Sequence, residues 1–192
     1  MMQREEVLEQ ALALLERRGF ADTTLDMLAD QLGVSPAELQ PFWPDREALL
    51  YDSLRYHSQQ VNIWRKQVQL DEQLGPEQKL LVRYQRLQDA VSQHRFPGCL
   101  FIAACSAFPD PLHPIHQIAE QQKQASYHYT KALLEELETD DTDMVALQLE
   151  LILEGCLSKL LVKRQLSDVT VAKRLAEDVL RVAMCRKHGA LA

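Results

Sequence analysis

With 192 residues, 46% of them apolar, and few Gly and Pro, the chain has the composition of a globular protein long enough for one large domain or two small ones. That excludes a disordered or fibrous chain. Its net charge is −7, and residues 1–50, with four Arg, no Lys and ten Asp or Glu, carry −6 of it, the opposite of the basic footprint of tight, non-specific nucleic-acid binders.

The opening "MMQREEVLEQ" is acidic and polar rather than basic and then apolar, unlike a secretory signal. The most apolar stretch, "MVALQLELILEGCLSKLLVK", is interrupted by Gln148, Glu150, Glu154 and Lys159, so no membrane span is expected. The expectation is a cytoplasmic protein whose four cysteines stay reduced.

Nearly every segment reads as helix. In the first, Val7, Leu8, Ala11, Leu12 and Leu15 share a face, and Gly19 supplies a left-handed stop with Phe20 as the apolar partner beyond it. The second, "TTLDMLADQLG", has Thr24 as N-cap and Gly33 as stop. A third starts at Ser35, with Pro36 at its first position and an S-x-x-E capping box to Glu38. Pro41 then removes a backbone hydrogen bond, so this helix is expected to kink or to end after about two turns.

A long fourth helix runs from Asp45 to about Asp71, and "QLGP" breaks the chain around Gly75. A fifth passes through Leu80, Tyr84 and Val91 to "FPG". The run "CLFIAACSAF" predicts a short helix buried on every side. After the loop "PDPLHP" come helices over 114–138, through Leu161, and from about Asp168 to Lys187. No strand signature or repeat is present, and the fold class is all-α.

Ala29, Gly33 and Leu39 have the small, glycine, apolar spacing of a helix-turn-helix. The small residue lets two helices cross closely, the glycine permits the turn, and the leucine plugs the core. Around them the chain reads "RGF", "TTLDMLA", "LGVS", an aromatic pair and "DREALL", in that order. Over about 45 residues this resembles the N-terminal domain of the TetR family of bacterial transcriptional regulators, and the all-helical length fits as well.

The resemblance implies a helix-turn-helix domain over 1–50 and an effector-binding and dimerisation domain over 51–192. It implies a homodimer held by a bundle of the last two helices of each copy. It also implies a small-molecule effector that loosens a palindromic, double-stranded operator. Carried over by position, Thr24 would touch phosphate, Ser35, Pro36 and Ala37 would face the groove, and Gln40 stands where a phosphate-binding tyrosine is common. Arg46 stands where a lysine usually anchors the next helix to the DNA backbone. Gln40 also suits adenine, and Ala37 a thymine methyl. Asp26 departs from the pattern, at a position where some members carry a base-reading cation. As caps, Thr24 and Ser35 have a purely structural reading too, and Glu38 is read as a cap rather than a contact.

By the same resemblance Trp64, Tyr84, Phe101, Cys105, His116 and Tyr127 surround the effector pocket, although each also suits a core. Glu150, Glu154 and Lys159 either line that pocket or flank the dimer seam. Cys99 and Cys105, six residues apart on a helix, point about 120° apart and do not converge on a metal, and neither His113 nor His116 completes a zinc pattern. Either thiol is a candidate oxidant sensor only if it is exposed and activated. No cofactor is expected, and no phosphate loop, nucleophile elbow or other enzyme signature is present. Two functional readings follow: a ligand-responsive regulator, and a dimeric scaffold of the same fold with weakened DNA binding.

Overall fold

The computed structural model describes residues 3–95, 99–187 and 189. Among them nine helices and no strand are present: α1 (Arg4–Asp22), α2 (Leu25–Leu32), α3 (Pro36–Leu39), α4 (Arg46–Leu70), α5 (Pro76–Ser92), α6 (Leu100–Ala107), α7 (Pro114–Glu136), α8 (Thr142–Val162) and α9 (Leu166–Lys187). The all-α expectation holds, and most helix ends fall within two residues of those read from the sequence. The "FPG" end expected for the fifth helix lies outside the described residues.

The chain packs as two units. One comprises Met1–Ile63 and Leu100–Gln122, the other Trp64–Cys99 and Lys123–Ala192. The divisions fall inside α4, at the start of α6 and inside α7.

In the first unit, α1 buries Val7, Leu8, Ala11, Leu14 and Leu15. Leu14 takes the core place expected of Leu12, which is only half-buried. Gly19, at φ 77°, kinks the end of α1, and Phe20 turns inward, edge-on to Phe108 at 6.2 Å. Thr24 caps α2 by accepting the Met27 amide at 3.3 Å. Gly33 ends it at φ 69°, and Val34 N–H closes the turn on Ala29 O at 3.0 Å. Leu28, Ala29, Leu39, Trp43 and Leu49 fill the space beneath, each large apolar side chain contributing about 2 kcal/mol by leaving water.

One expectation needs correction. Helix α6 is not buried on every side: Leu100, Phe101 and Ala104 face the core, whereas Ser106 and Ala107 are exposed. The uncovered end of this helix carries Ser106 and Ala107, which cost little in water, while Ile102, Ala103 and Cys105 stay half-buried.

In the second unit, α5 and α8 both pack on α9. Tyr84, Leu133, Leu149, Leu153, Ala172, Ala176 and Leu180 form its interior. A polar link crosses this apolar interior: Arg83 donates to Glu150 Oε1 and to Thr130 Oγ1, both at 2.9 Å.

Candidate nucleic-acid interface and ligand cleft

The segment after the Gly33 turn is held from both ends and from below. At its start, the amide and hydroxyl of Ser35 both donate to Glu38 Oε1, at 3.0 and 3.1 Å, so Glu38 is a cap. Helix α3 is a single turn, shorter than expected. Pro41 has no N–H to give Ala37 O, and the chain winds on as a turn in which the amides of Phe42 and Trp43 both reach Leu39 O at 3.0 Å. Trp43, 1% exposed, is the anchor below. Its indole N–H donates to Asp52 Oδ2 at 2.8 Å, and Arg4 pairs with the same carboxylate. With Leu39 and Trp43 fixed beneath, Ser35, Pro36, Ala37, Glu38 and Gln40 stand exposed, and Thr24 is half-buried at the neighbouring start of α2.

Arg46 opens α4 and reaches across to the end of α1. Its Nε donates to Thr23 O at 2.8 Å, and Nη2 donates to Ala21 O at 3.1 Å and to Phe20 O. A guanidinium here meets the negative end of the α1 dipole. Arg17 donates to Gln31, which in turn donates to Gln10 Oε1 at 2.6 Å. Three of the four arginines in residues 1–50 are therefore engaged with protein groups, which explains how an acidic head still holds a defined shape.

In the second unit, a cleft of about 390 Å³ opens between α7 and α8. Lys123, Gln124, Tyr127 and His128 line it from α7, and Leu147, Glu150 and Glu154 from α8. The Lys123 ammonium donates to both Glu154 oxygens, at 2.7 and 2.9 Å, and to Cys99 Sγ at 3.1 Å. Burial disfavours that ammonium, but Cys99 and Glu154 outweigh burial and its pKa lies above the usual lysine value. Burial likewise opposes the Glu150 charge, yet Arg83 and hydrogen bonds from Thr130 and Ser126 prevail and hold its carboxyl below the usual range. At the rim, Tyr127 donates to Asp143 Oδ1 at 2.9 Å, and Lys131 pairs with that oxygen at 2.6 Å.

A model of the bacterial tetR-family regulatory proteins matches residues 7–51, the segment that forms this head. Over 190 residues, 99% of this chain and 100% of the relative, it is 60% identical to the HTH-type transcriptional regulator YjdC of Escherichia coli and, equally, to that of Shigella flexneri. The chain belongs to the TetR family. It is a helix-turn-helix transcriptional regulator, from a family of DNA-binding proteins and not of enzymes. Solved TetR-family structures share its fold: a regulator from Streptomyces coelicolor superposes with a TM-score of 0.83 at 19% identity, covering 94% of this chain and 95% of that one. One from Legionella pneumophila gives 0.78 at 18%, covering 95% and 98%. No helix among the described residues is long and apolar enough to cross a membrane.

Within this TetR frame, the residues expected around a pocket fall in both packing units. Phe101, Cys105 and His116 belong to the first: Phe101 is buried and stacks on His57 at 5.1 Å, His116 Nδ1 lies 2.8 Å from Phe108 O, and Cys105 is half-buried. Trp64, Tyr84 and Tyr127 belong to the second. Trp64 lies under the Arg86 guanidinium at 4.7 Å. Tyr84 is buried in the core with a hydroxyl that has no hydrogen-bond partner, and burial pushes its pKa up to about 12. Of the six, Tyr127 lines the α7–α8 cleft. Glu150 and Glu154 line it as well, while Lys159 pairs with Asp168 at 3.1 Å. Lys123, Gln124, His128 and Leu147 escaped the sequence reading. The signal was present as two i, i+4 pairs, Lys123 with Tyr127 and Glu150 with Glu154, each sharing one helix face.

Proposed function

We propose that this regulator is a ligand-responsive repressor that binds a palindromic operator in double-stranded DNA as a homodimer in the cytoplasm. Residues 1–50 read DNA, and residues 51–192 bind an effector and dimerise. The observation that carries the DNA-reading part is the exposed row Ser35, Pro36, Ala37 and Gln40 above the fixed Leu39 and Trp43. A groove-facing segment needs both properties, side chains that reach base edges and a base that does not yield.

In this reading Thr24 contacts phosphate at the start of α2, Gln40 pairs with adenine, and Ala37 meets a thymine methyl. Arg46 spends three of its five N–H donors on the end of α1 and gives Nη1 to a phosphate. Of the residues expected around the effector, Tyr127 is the one that lines the α7–α8 cleft. Dimerisation is supported by apolar side chains left in water: Met144, Leu147 and Leu151 at helical spacing on α8, with Val171, Leu175 and Val182 on α9. Exposed apolar rows of that kind are the usual material of an obligate interface.

A one-turn α3 and a head charge of −6 favour a second reading, a dimeric scaffold with weakened DNA binding that acts through ligand or protein contacts. Electrophoretic retardation of the DNA flanking the protein's own gene separates the two. The repressor reading expects a retarded complex that unlabelled copies of the same fragment displace; no retardation of any such fragment at low salt supports the scaffold.

A further inference from the structure

We propose that the α7–α8 cleft takes a primary amine on an apolar body, whose ammonium donates to the Glu154 carboxylate. This inference rests on the reading of the chain as effector-responsive, and names the chemical class of the effector.

The lining of the cleft has spent its strongest donors and has acceptors to spare. An ammonium carries three N–H groups and no acceptor. Those of Lys123 are engaged, with the two Glu154 oxygens at 2.7 and 2.9 Å and with Cys99 Sγ at 3.1 Å. Tyr127 has likewise given its hydroxyl proton to Asp143. A carboxylate, by contrast, accepts up to about four bonds, and Lys123 makes two of those at Glu154. An incoming acid therefore finds no free donor on Lys123 or Tyr127. An incoming ammonium finds unused lone pairs on Glu154 with Lys123 still in place.

The charges of the lining point the same way. Lys123 faces Glu150 and Glu154, two carboxylates four residues apart on one face of α8. Arg83 lies outside the lining and, with Thr130, bonds Glu150 at Oε1, which keeps that carboxyl ionised. Glu150 is thus matched from behind, and Glu154 is the carboxylate open to a ligand. An amine brings its charge beside two anions, whereas an acid brings a third anion to the same face of α8. Tyr127, His128 and Leu147 supply walls for the apolar body, and an aromatic ring face attracts a cation. The volume of about 390 Å³ falls in the range of small-molecule sites. Lys123 is the internal competitor, since its ammonium repels a second one and takes half of the Glu154 capacity.

Calorimetric titration of the full chain with benzylamine and octylamine, against benzoate, octanoate and benzyl alcohol, tests the proposal. The amines bind saturably, about 10-fold or more tighter than the acids or the alcohol. Glu154→Gln weakens the amines about 10-fold or more, and Lys123→Met tightens them about 3- to 10-fold. Melting curves accompany each variant; where one of the two does not fold, the other carries the test together with the ligand series on the unmodified protein. Equal or tighter binding of the acids or of benzyl alcohol overturns the proposal. So does an amine affinity that a folded Glu154→Gln leaves unchanged, weaker amine binding in a folded Lys123→Met, or no saturable binding at millimolar concentration. Retardation assays with and without benzylamine decide the regulatory reading separately. An amine that binds with this pattern and leaves the DNA complex intact removes only the repressor, and a retarded complex without amine binding removes only this proposal.

Discussion

Arg46 donates through Nε to the carbonyl oxygen of Thr23 at 2.8 Å, fastening the first turn of α4 to the end of α1. Charge-assisted bonds of this kind are worth about 1.5–3 kcal/mol. Arg46→Ala is expected to lower stability by about that amount in urea denaturation. If Nη1 also meets a phosphate, the slope of log affinity against log salt becomes shallower by about one. An unchanged slope would confine Arg46 to holding the head together.

Gln40 is exposed as the C-cap of α3, its backbone amide donating to Pro36 O at 3.3 Å, and it takes no part in the Ser35–Glu38 box. Gln40→Ala is expected to cost about 1–3 kcal/mol of discrimination at one base pair of each half-site, with little change in melting temperature. A binding-site selection comparing the two proteins reads this directly, and identical base preferences would remove Gln40 from the set of reading residues.

Leu151 is 72% exposed on α8, so changing it does not disturb the interior of a single chain. Leu151→Asp is expected to convert the proposed dimer into a folded species of half its mass by light scattering. Unmodified protein that already has the mass of one chain would contradict the proposed assembly.

Glu150 gives the acid limb of stability a definite sign. Its folded pKa lies below the ordinary glutamate value, because Arg83 and its hydrogen bonds outweigh burial. The stabilisation is complete above the unfolded value of about 4.3 and is lost as pH falls through the folded value. Glu150→Gln leaves the Arg83 charge buried and uncompensated, and is expected to cost about 3 kcal/mol near neutrality. Its melting temperature should then fall less steeply below about pH 4.3 than that of the parent protein. Parallel acid limbs in the two proteins would show that Glu150 is not held charged by Arg83.

Cys156 is buried, and burial followed by the Asp168 charge pushes its thiol up to about 11. At pH 8 it is expected to stay unalkylated by iodoacetamide in the native protein and to react once the chain is unfolded. Mass spectrometry of the peptides checks this. Rapid native modification would mean that the α8–α9 interior opens.

What could be read from the sequence was mostly local. The Thr24 cap, the Gly33 turn and the Ser35–Glu38 box each join residues within five positions, so side-chain chemistry and backbone geometry decide them almost alone. The family frame was legible for the same reason, as a run of short signals in a fixed order. The length of α3 was foreseen in direction but not in extent, because tertiary anchoring by Trp43 lets the chain leave the helix after one turn. Pairings across long separations were not legible. Arg83 meets Glu150 across 67 positions, and Lys123 meets Glu154 across 31. Periodicity places such residues on a face without saying which other helix covers it. The half-covered state of α6 escaped for the converse reason: composition reported its apolarity, and only packing reports which side is used.

The most direct test is a fluorescence-anisotropy titration of the full chain with a fragment of the DNA flanking its own gene, repeated over a series of salt concentrations. The account predicts saturable binding that a scrambled fragment does not match, with a slope of log affinity on log salt no steeper than about −4, since few cations are available to neutralise phosphate. Equal, weak affinity for both fragments at every salt concentration would contradict it.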